Sequence, residues 1–180
     1  MSLPTARYRS LIDALAAHAG LPPWKLADST YPGATWLEGQ ILQESSGDPR
    51  ARRYEGLLDH VPDGDTPGID DGIWEDDASY GLLQVLGSNL RAMVGVPIGI
   101  RMSFEFALRP ATGLCFGVRH LVDECLRTVS WDVPRGLARY NGGPGGSLEV
   151  AKGGALVLRR QDYVDAVAAW TRRVAEEQLA

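Results

Sequence analysis

The stretch from Trp36 to Pro49, WLEGQILQESSGDP, constrains the fold of this chain more than any other. Its apolar residues recur at helical spacing and not in the alternation of a strand, at Trp36, Leu37, Ile41 and Leu42. The run from Ser45 to Pro49 then ends the helix, because Gly and Pro interrupt regular structure while Ser and Asp favour turns. The sequence therefore predicts an amphipathic helix that runs directly into a turn, with Glu44 at the junction.

The place of Glu44 at this junction suggests a chemical role. A carboxylate at the C-terminal end of a helix lies near the negative pole of the helix dipole. Burial and the dipole both disfavour its charged form, so we expect the pKa of Glu44 to rise. A carboxylic acid that stays protonated near neutral pH can act as a general acid. The alternative is a solvated glutamate at a fraying helix end, which is the commoner situation for this residue type.

Length and composition are those of a globular chain without an evident prosthetic group. The 180 residues suit one domain, and 44% hydrophobic with 23% charged residues is an ordinary composition. The net charge of −5 and the lack of a basic run predict no nucleic-acid partner. Three His and two Cys show no metal-ligand spacing, so we predict no metal and no cofactor. No apolar run is long enough to predict a membrane span.

The remaining periodicity predicts helices and no convincing strand pair. We expect helices over Tyr8–Ala19, over Asn89–Val94, after Pro110 with Thr112 as its cap, over Trp131–Ala138 with Asp132 as its cap, and at the C-terminal end with Asp162 as its cap. The Gly-rich run from Asn141 to Gly146 reads as a loop. The predicted fold class is all-α, or α+β at most, in a single domain over residues 1–180.

An acidic, turn-rich stretch over about residues 60–77 interrupts this pattern. Asp, Gly and Pro dominate it, and such segments are usually solvated loops. Clustered Asp residues also suit calcium, but the ligand spacing of an EF-hand with its closing Glu is absent. We therefore predict a loop inserted into the domain, without a metal.

Three short motifs carry the functional prediction: Glu44-Ser45 followed by Pro49, then Gly81-Leu82-Leu83-Gln84, then Ala138-Arg139-Tyr140-Asn141. Each is weak alone. In this order, with a helix between the second and the third, they resemble the lytic transglycosylases of the goose-lysozyme-like family, over about Trp36 to Trp170. Leu83 replaces the commoner Met of the second motif, and Gly47 replaces an aromatic residue of the first. The string Arg53-Tyr54-Glu55 also resembles a branch with many phage and prophage members.

The resemblance implies a lysozyme-like fold and a peptidoglycan-cleaving activity, with Glu44 as the catalytic residue. It implies substrate-binding roles for Ser45, Gly81, Leu82, Gln84, Tyr140, Asn141 and Tyr163. In that family one carboxyl group protonates the glycosidic oxygen between N-acetylmuramic acid and N-acetylglucosamine, and then takes the proton of the C6 hydroxyl that attacks the anomeric carbon. The product ends in 1,6-anhydromuramic acid.

Two alternatives remain open from the sequence. A muramidase would hydrolyse the same bond with water, and a second carboxylate such as Asp76 or Asp77 would then be needed. A wall-binding or virion structural module would keep the fold without the activity. The N-terminal segment has no sustained apolar run, so no signal peptide is predicted. We expect a monomer that is made in the cytoplasm and reaches the wall through a virion, a holin or a secretion apparatus.

Overall fold

The fold is mainly helical, as the sequence predicts. The computed structural model describes residues 2–54, 75–97, 100, 102–152 and 155–180. Within these ranges lie six helices, α1 (Arg9–His18), α2 (Gly33–Ser45), α3 (Gly87–Val94), α4 (Pro110–His120), α5 (Val133–Gly146) and α6 (Gln161–Leu179). A π-helical segment, Leu121–Leu126, continues α4. Among the described helices, none combines the length and the apolar composition that crossing a bilayer requires.

Short antiparallel strands join the helices, and the prediction of no strand pair is wrong. They are β1 (Trp24–Leu26), β2 (Ser29–Tyr31), β3 (Arg52–Tyr54), β4 (Ala78–Tyr80), β5 (Val85–Leu86), β6 (Glu149–Lys152) and β7 (Ala155–Leu158). They form the pairs β1–β2 and β6–β7 and a three-stranded sheet in the order β3–β4–β5. Each strand has only two to four residues, which is too short for an alternating pattern to appear in the sequence.

Helix starts differ in part from their predicted caps. Asp132 is confirmed as the cap of α5, since its carboxylate accepts from the backbone N–H of Arg135 at 2.9 Å. The helix α4 begins at Pro110, so Thr112 lies inside its first turn and does not cap it. The helix α6 begins at Gln161, so Asp162 also lies within the first turn, where a carboxylate still suits the positive end of the helix dipole.

The predicted loop from Asn141 to Gly146 is instead the end of α5. The helix is interrupted only at Gly143, whose φ of 61° and ψ of −162° are not helical. Pro144 follows immediately and suits the first turn of a new helical segment, since it needs no backbone N–H there. Tyr140 and Asn141 therefore lie on a helix, just before a glycine break.

The chain divides into two compact units. The first comprises Met1–Gln43 with Val118–Ala180, and the second comprises Glu44–Gly117. The first contains α1, most of α2, α5, α6 and the hairpins β1–β2 and β6–β7. The second contains the three-stranded sheet, α3 and most of α4.

The helix α2 forms the core of the first unit. Its residues from Thr35 to Leu42 are all buried, and Trp36, Leu37 and Ile41 have no exposed surface. Such a helix belongs inside a core, since it has no face for water. Gly39 allows α6 to lie close, because a Cβ added there would lie 2.8 Å from the Oγ1 of Thr171.

One carboxylate is buried with this helix. Glu38 has 1% of its surface exposed, and its Oε1 accepts a hydrogen bond of 2.5 Å from the hydroxyl of Thr5. Arg9 adds an ion pair with Oε2 at 3.3 Å, and Gln178 donates to the same oxygen at 3.4 Å. A buried charge is tolerated only when it is paired and hydrogen-bonded, and Glu38 satisfies this condition.

Aromatic rings pack against one another in the second unit. The rings of Tyr80 and Phe104 lie 5.5 Å apart between centroids, and those of Phe106 and Phe116 lie 5.2 Å apart. Burial raises the pKa of Tyr80 to about 12, so its hydroxyl stays protonated and donates to the carbonyl oxygen of Glu75 at 3.0 Å.

Most of the predicted acidic insert lies outside the described residues. Its described end, at Asp76 and Asp77, is buried and is not a solvated loop. Asp76 and Asp77 are 1% and 6% exposed. Two nitrogens of Arg91 bind the two carboxylate oxygens of Asp76, at 2.5 and 2.8 Å. The remaining guanidinium nitrogen donates to the carbonyl oxygens of Pro97 and Ile100. The Asp76 end of the insert is therefore anchored to α3.

We expect Arg91→Met to destabilise the protein by about 3–5 kcal/mol, because it leaves the buried Asp76 carboxylate without its counter-charge. The measurement is the free energy of unfolding in urea. Arg52→Met is the matched control, since Arg52 pairs with Glu105 at the surface, where an ion pair contributes about 0–1 kcal/mol. Equal effects of the two substitutions would contradict this assignment.

Candidate functional site

The predicted site residues fall into two groups, one in each compact unit. Glu44, Ser45, Gly81, Leu82 and Gln84 belong to the unit Glu44–Gly117, and Tyr140, Asn141 and Tyr163 belong to the unit that contains α5 and α6. In the first group, residues of two motifs contact each other. In the second group, motif residues contact residues outside the motifs.

Glu44 lies half-buried in the last turn of α2, and the chain turns away immediately after Ser45. Ser46 and Gly47 have φ values of 54° and 79°, which end the helix. The hydroxyl of Ser45 donates to the carbonyl oxygen of Leu82 at 2.9 Å. This bond joins the first motif to the second, although the two residues are 37 positions apart in the sequence.

The second motif forms the turn between β4 and β5. Gly81 and Gln84 both have left-handed φ values, 76° and 48°. The side-chain amide nitrogen of Gln84 donates to the carbonyl oxygens of Ala51 at 3.0 Å and Gly81 at 2.8 Å. Both of its protons therefore bind the protein backbone. With 7% of its surface exposed, the Gln84 side chain holds the turn and offers little surface to a ligand.

Gly81 and Leu82 serve packing. A Cβ added at Gly81 would collide with the carbonyl oxygen of Ala107, so the close approach that requires glycine here is between two parts of the backbone. The side chain of Leu82 is 1% exposed and belongs to the core. This side chain therefore offers little surface to a ligand, and the part of Leu82 that connects the motifs is its carbonyl group.

In the other unit, Tyr140 packs against a histidine that no motif marks. The ring of His120 meets the ring of Tyr140 nearly edge-on, with 5.3 Å between centroids. His120 ends α4, immediately before the π-helical segment. Single π-helical turns within helices are frequent at functional sites. No sequence signal marks this contact, because a lone His on a mainly apolar helix is ordinary.

The electrostatics around His120 keep the imidazole neutral. Burial lowers its pKa from the ordinary value, and the nearby guanidinium of Arg139 acts in the same direction. The carboxylate of Glu124 opposes them only in part. At neutral pH the ring facing Tyr140 is therefore uncharged.

Asn141 follows Tyr140 and is held by a second residue that sequence reasoning missed. The Nε of Arg160 donates to the side-chain oxygen of Asn141 at 2.7 Å. Arg160 immediately precedes α6. The predicted groove residue Tyr163 lies in the first turn of that helix, but it is only 6% exposed. Its ring belongs to the buried stripe of α6 with Val167 and Val174, so it offers little surface to a ligand.

In the part of the chain that the structure describes, no cluster of three or more His, Cys, Asp or Glu residues is arranged to hold a metal ion. Comparison of the chain with protein-family models, with curated proteins and with solved structures finds no match.

Replacing His120 is expected to reduce the acid sensitivity of the fold. The folded pKa of His120 lies below its unfolded value of about 6.5, so the unfolded chain binds this proton more readily. The stabilising contribution is complete above that value and is lost as pH falls through the folded pKa. We expect the melting temperature of His120→Gln to fall less than that of the parent between about pH 7 and pH 5.

The control is His18→Gln, which changes an exposed histidine at the end of α1 and should keep the acid sensitivity of the parent. Identical pH dependence in the parent and in the His120 variant would show that protonation of His120 does not limit stability.

Proposed function

We propose that this chain is a peptidoglycan lytic transglycosylase with a lysozyme-like fold and with Glu44 as its general acid and base. The observation that carries the proposal is the hydrogen bond from the Ser45 hydroxyl to the Leu82 carbonyl oxygen. It holds the turn Gly81–Gln84 against the end of α2 that bears Glu44. Two motifs that resemble one enzyme family in sequence are therefore in physical contact, which chance matches would not require.

The proposed reaction needs one carboxyl group. Glu44 gives its proton to the glycosidic oxygen as the bond from that oxygen to C1 of N-acetylmuramic acid breaks. The C6 hydroxyl of the same sugar forms a bond to C1, and its proton passes to the Glu44 carboxylate. The acid is regenerated and no water is consumed. Attack within one sugar ring benefits from proximity, so no external nucleophile has to be positioned.

Supporting roles are proposed for Tyr140 and Asn141. The amide nitrogen of Asn141 donates two hydrogen bonds. The ring of Tyr140, which packs nearly edge-on against neutral His120, offers an apolar surface. Together these groups suit the acetamido and hydroxyl substituents of a glycan strand.

The contacts of Asp76 favour transglycosylation over hydrolysis. A hydrolase normally places a second carboxylate across the scissile bond. Asp76 and Asp77 were candidates for that role, but both are buried, and Arg91 binds both carboxylate oxygens of Asp76. The charge of Asp76 therefore serves the ion pair that anchors α3. An inactive wall-binding or virion module stays the alternative of another class, and the two experiments below separate all three.

The wider setting of the enzyme is proposed from the sequence alone. Its partner is the glycan strand of peptidoglycan, and it acts as a monomer in a single catalytic domain. The phage or prophage resemblance of Arg53-Tyr54-Glu55 fits delivery to the wall by a virion or a lysis system.

Digestion of purified peptidoglycan should release fragments that end in 1,6-anhydromuramic acid, because the C6 hydroxyl replaces water as the nucleophile. Mass spectrometry distinguishes these ends from reducing muramic acid, which is heavier by one water. Reducing ends alone would identify a muramidase. Binding of the strands with no cleavage would identify a wall-binding module.

Glu44→Gln should lower the rate of fragment release by about 10²–10⁴-fold or more, because general acid and base catalysis each contribute a factor of that size. Binding to insoluble peptidoglycan should persist, since the amide has nearly the shape of the acid. The matched control is Glu176→Gln, an exposed glutamate near the end of α6, which should keep the parental rate. A Glu44 variant as fast as the parent would refute the assignment of the acid.

A further inference from the structure

The side chain of Arg160 determines which way the Asn141 amide faces. The guanidinium group is a donor only, so the group of Asn141 that meets its Nε must be the carbonyl oxygen, and the two are 2.7 Å apart. The amide nitrogen of Asn141 consequently turns away from Arg160. In the described part of the chain, this is the single hydrogen bond that the Asn141 side chain makes.

The Gly-rich end of α5 makes room for this contact. A Cβ added at Gly142 would lie 2.7 Å from the Cγ of Arg160, and one added at Gly146 would lie 3.2 Å from the same atom. The aliphatic part of Arg160 therefore lies against two glycines, on either side of the break at Gly143. Because these glycines have no side chains, they leave space for the side chain of Arg160, so the segment does more than connect two elements.

The backbone of Arg160 is also hydrogen-bonded. Its N–H donates to the carbonyl oxygen of Gly146 at 3.3 Å. Its own carbonyl oxygen accepts from the N–H groups of Tyr163 at 3.1 Å and Val164 at 3.3 Å, in the first turn of α6. Arg160 thus ties the end of α5 to the start of α6, and the orientation it imposes on Asn141 is supported from both sides.

We propose that Arg160 is a positioning residue of the glycan site. It fixes Asn141 so that the amide nitrogen presents two protons to the carbonyl oxygen of an N-acetyl group on the sugar strand. Without Arg160, the amide rotates and offers its own oxygen to that carbonyl for part of the time, and two acceptors do not bind each other. This inference rests on the proposed function for the identity of the ligand, whereas the contact itself does not depend on it.

The test uses Arg160→Met, Asn141→Ala and the double variant, which are compared for release of soluble fragments from peptidoglycan. Arg160→Met keeps the aliphatic part that lies against the glycines but removes the donor. One lost hydrogen bond to substrate should raise KM about 3- to 10-fold with little change in kcat. Asn141→Ala should have a similar effect, and the double variant should be no worse than Asn141→Ala alone, because Arg160 acts through Asn141.

Two further variants separate positioning from general stability. Arg160→Lys, which keeps a donor at the end of a flexible chain, should restore part of the lost affinity. Arg159→Met changes the exposed neighbouring arginine and should leave KM unchanged. If the KM increases of Arg160→Met and Asn141→Ala multiply in the double variant, Arg160 acts independently of Asn141 and the inference is wrong.

A measurement without substrate distinguishes failure of this inference from failure of the proposed function. In ¹⁵N-labelled protein, the side-chain amide signals of Asn141 should shift and their exchange with water should quicken on Arg160→Met, with no such change on Arg159→Met. Unchanged signals would overturn the positioning role, whatever the activity. If the parent protein does not cleave peptidoglycan but Arg160→Met shifts these signals, the proposed function is wrong while the contact is established.

Discussion

The burial of α2 is the constraint on which the rest of this structure depends. From Thr35 to Leu42 no residue has a face for water, so the helix cannot slide or rotate without exposing apolar surface. Buried Glu38 adds a directional constraint, because its carboxylate meets Thr5 and Arg9 in only one helix position. The end of the helix at Ser45 is fixed in consequence. The location of the proposed acid, Glu44, is thus set by residues that take no part in the chemistry.

The sequence predicted the helices well and the strands poorly, and the physical reason is length. A helix such as α6 repeats its apolar stripe over several turns, so the periodicity is visible in the sequence alone. The strands have two to four residues and are held by pairing with distant partners, which leaves no local pattern. The prediction of a solvated loop over the acidic stretch is wrong at Asp76 for a similar reason. Its composition indicates a solvent-exposed segment, but Asp76 is paired with Arg91, which lies on a separate helix.

The candidate site could be predicted where the residue types within one motif determine the local backbone geometry. The helix-to-turn junction at Glu44 and the tight turn at Gly81 both follow from residue type, and their connection through Ser45 agrees with the motif order. The partners of the motif residues were not predictable. His120 and Arg160 contact Tyr140 and Asn141 from other elements, and nothing in their local sequence marks them. Likewise, only the fold shows that both amide protons of Gln84 bind backbone carbonyl oxygens.

These contacts change what the motif residues are understood to do. Ser45, Gln84 and the oxygen of Asn141 all bind other parts of the protein, and Gly81 makes room for the Ala107 carbonyl group. Most of the polar atoms in the three motifs therefore hold the local backbone in shape. In the proposed reaction, such preorganisation would let one carboxyl group act without reorganising its surroundings. The proposed reaction needs a single acid and base. In that proposal Glu44, Tyr140 and the amide of Asn141 meet the substrate, while Ser45, Gly81 and Gln84 hold the scaffold.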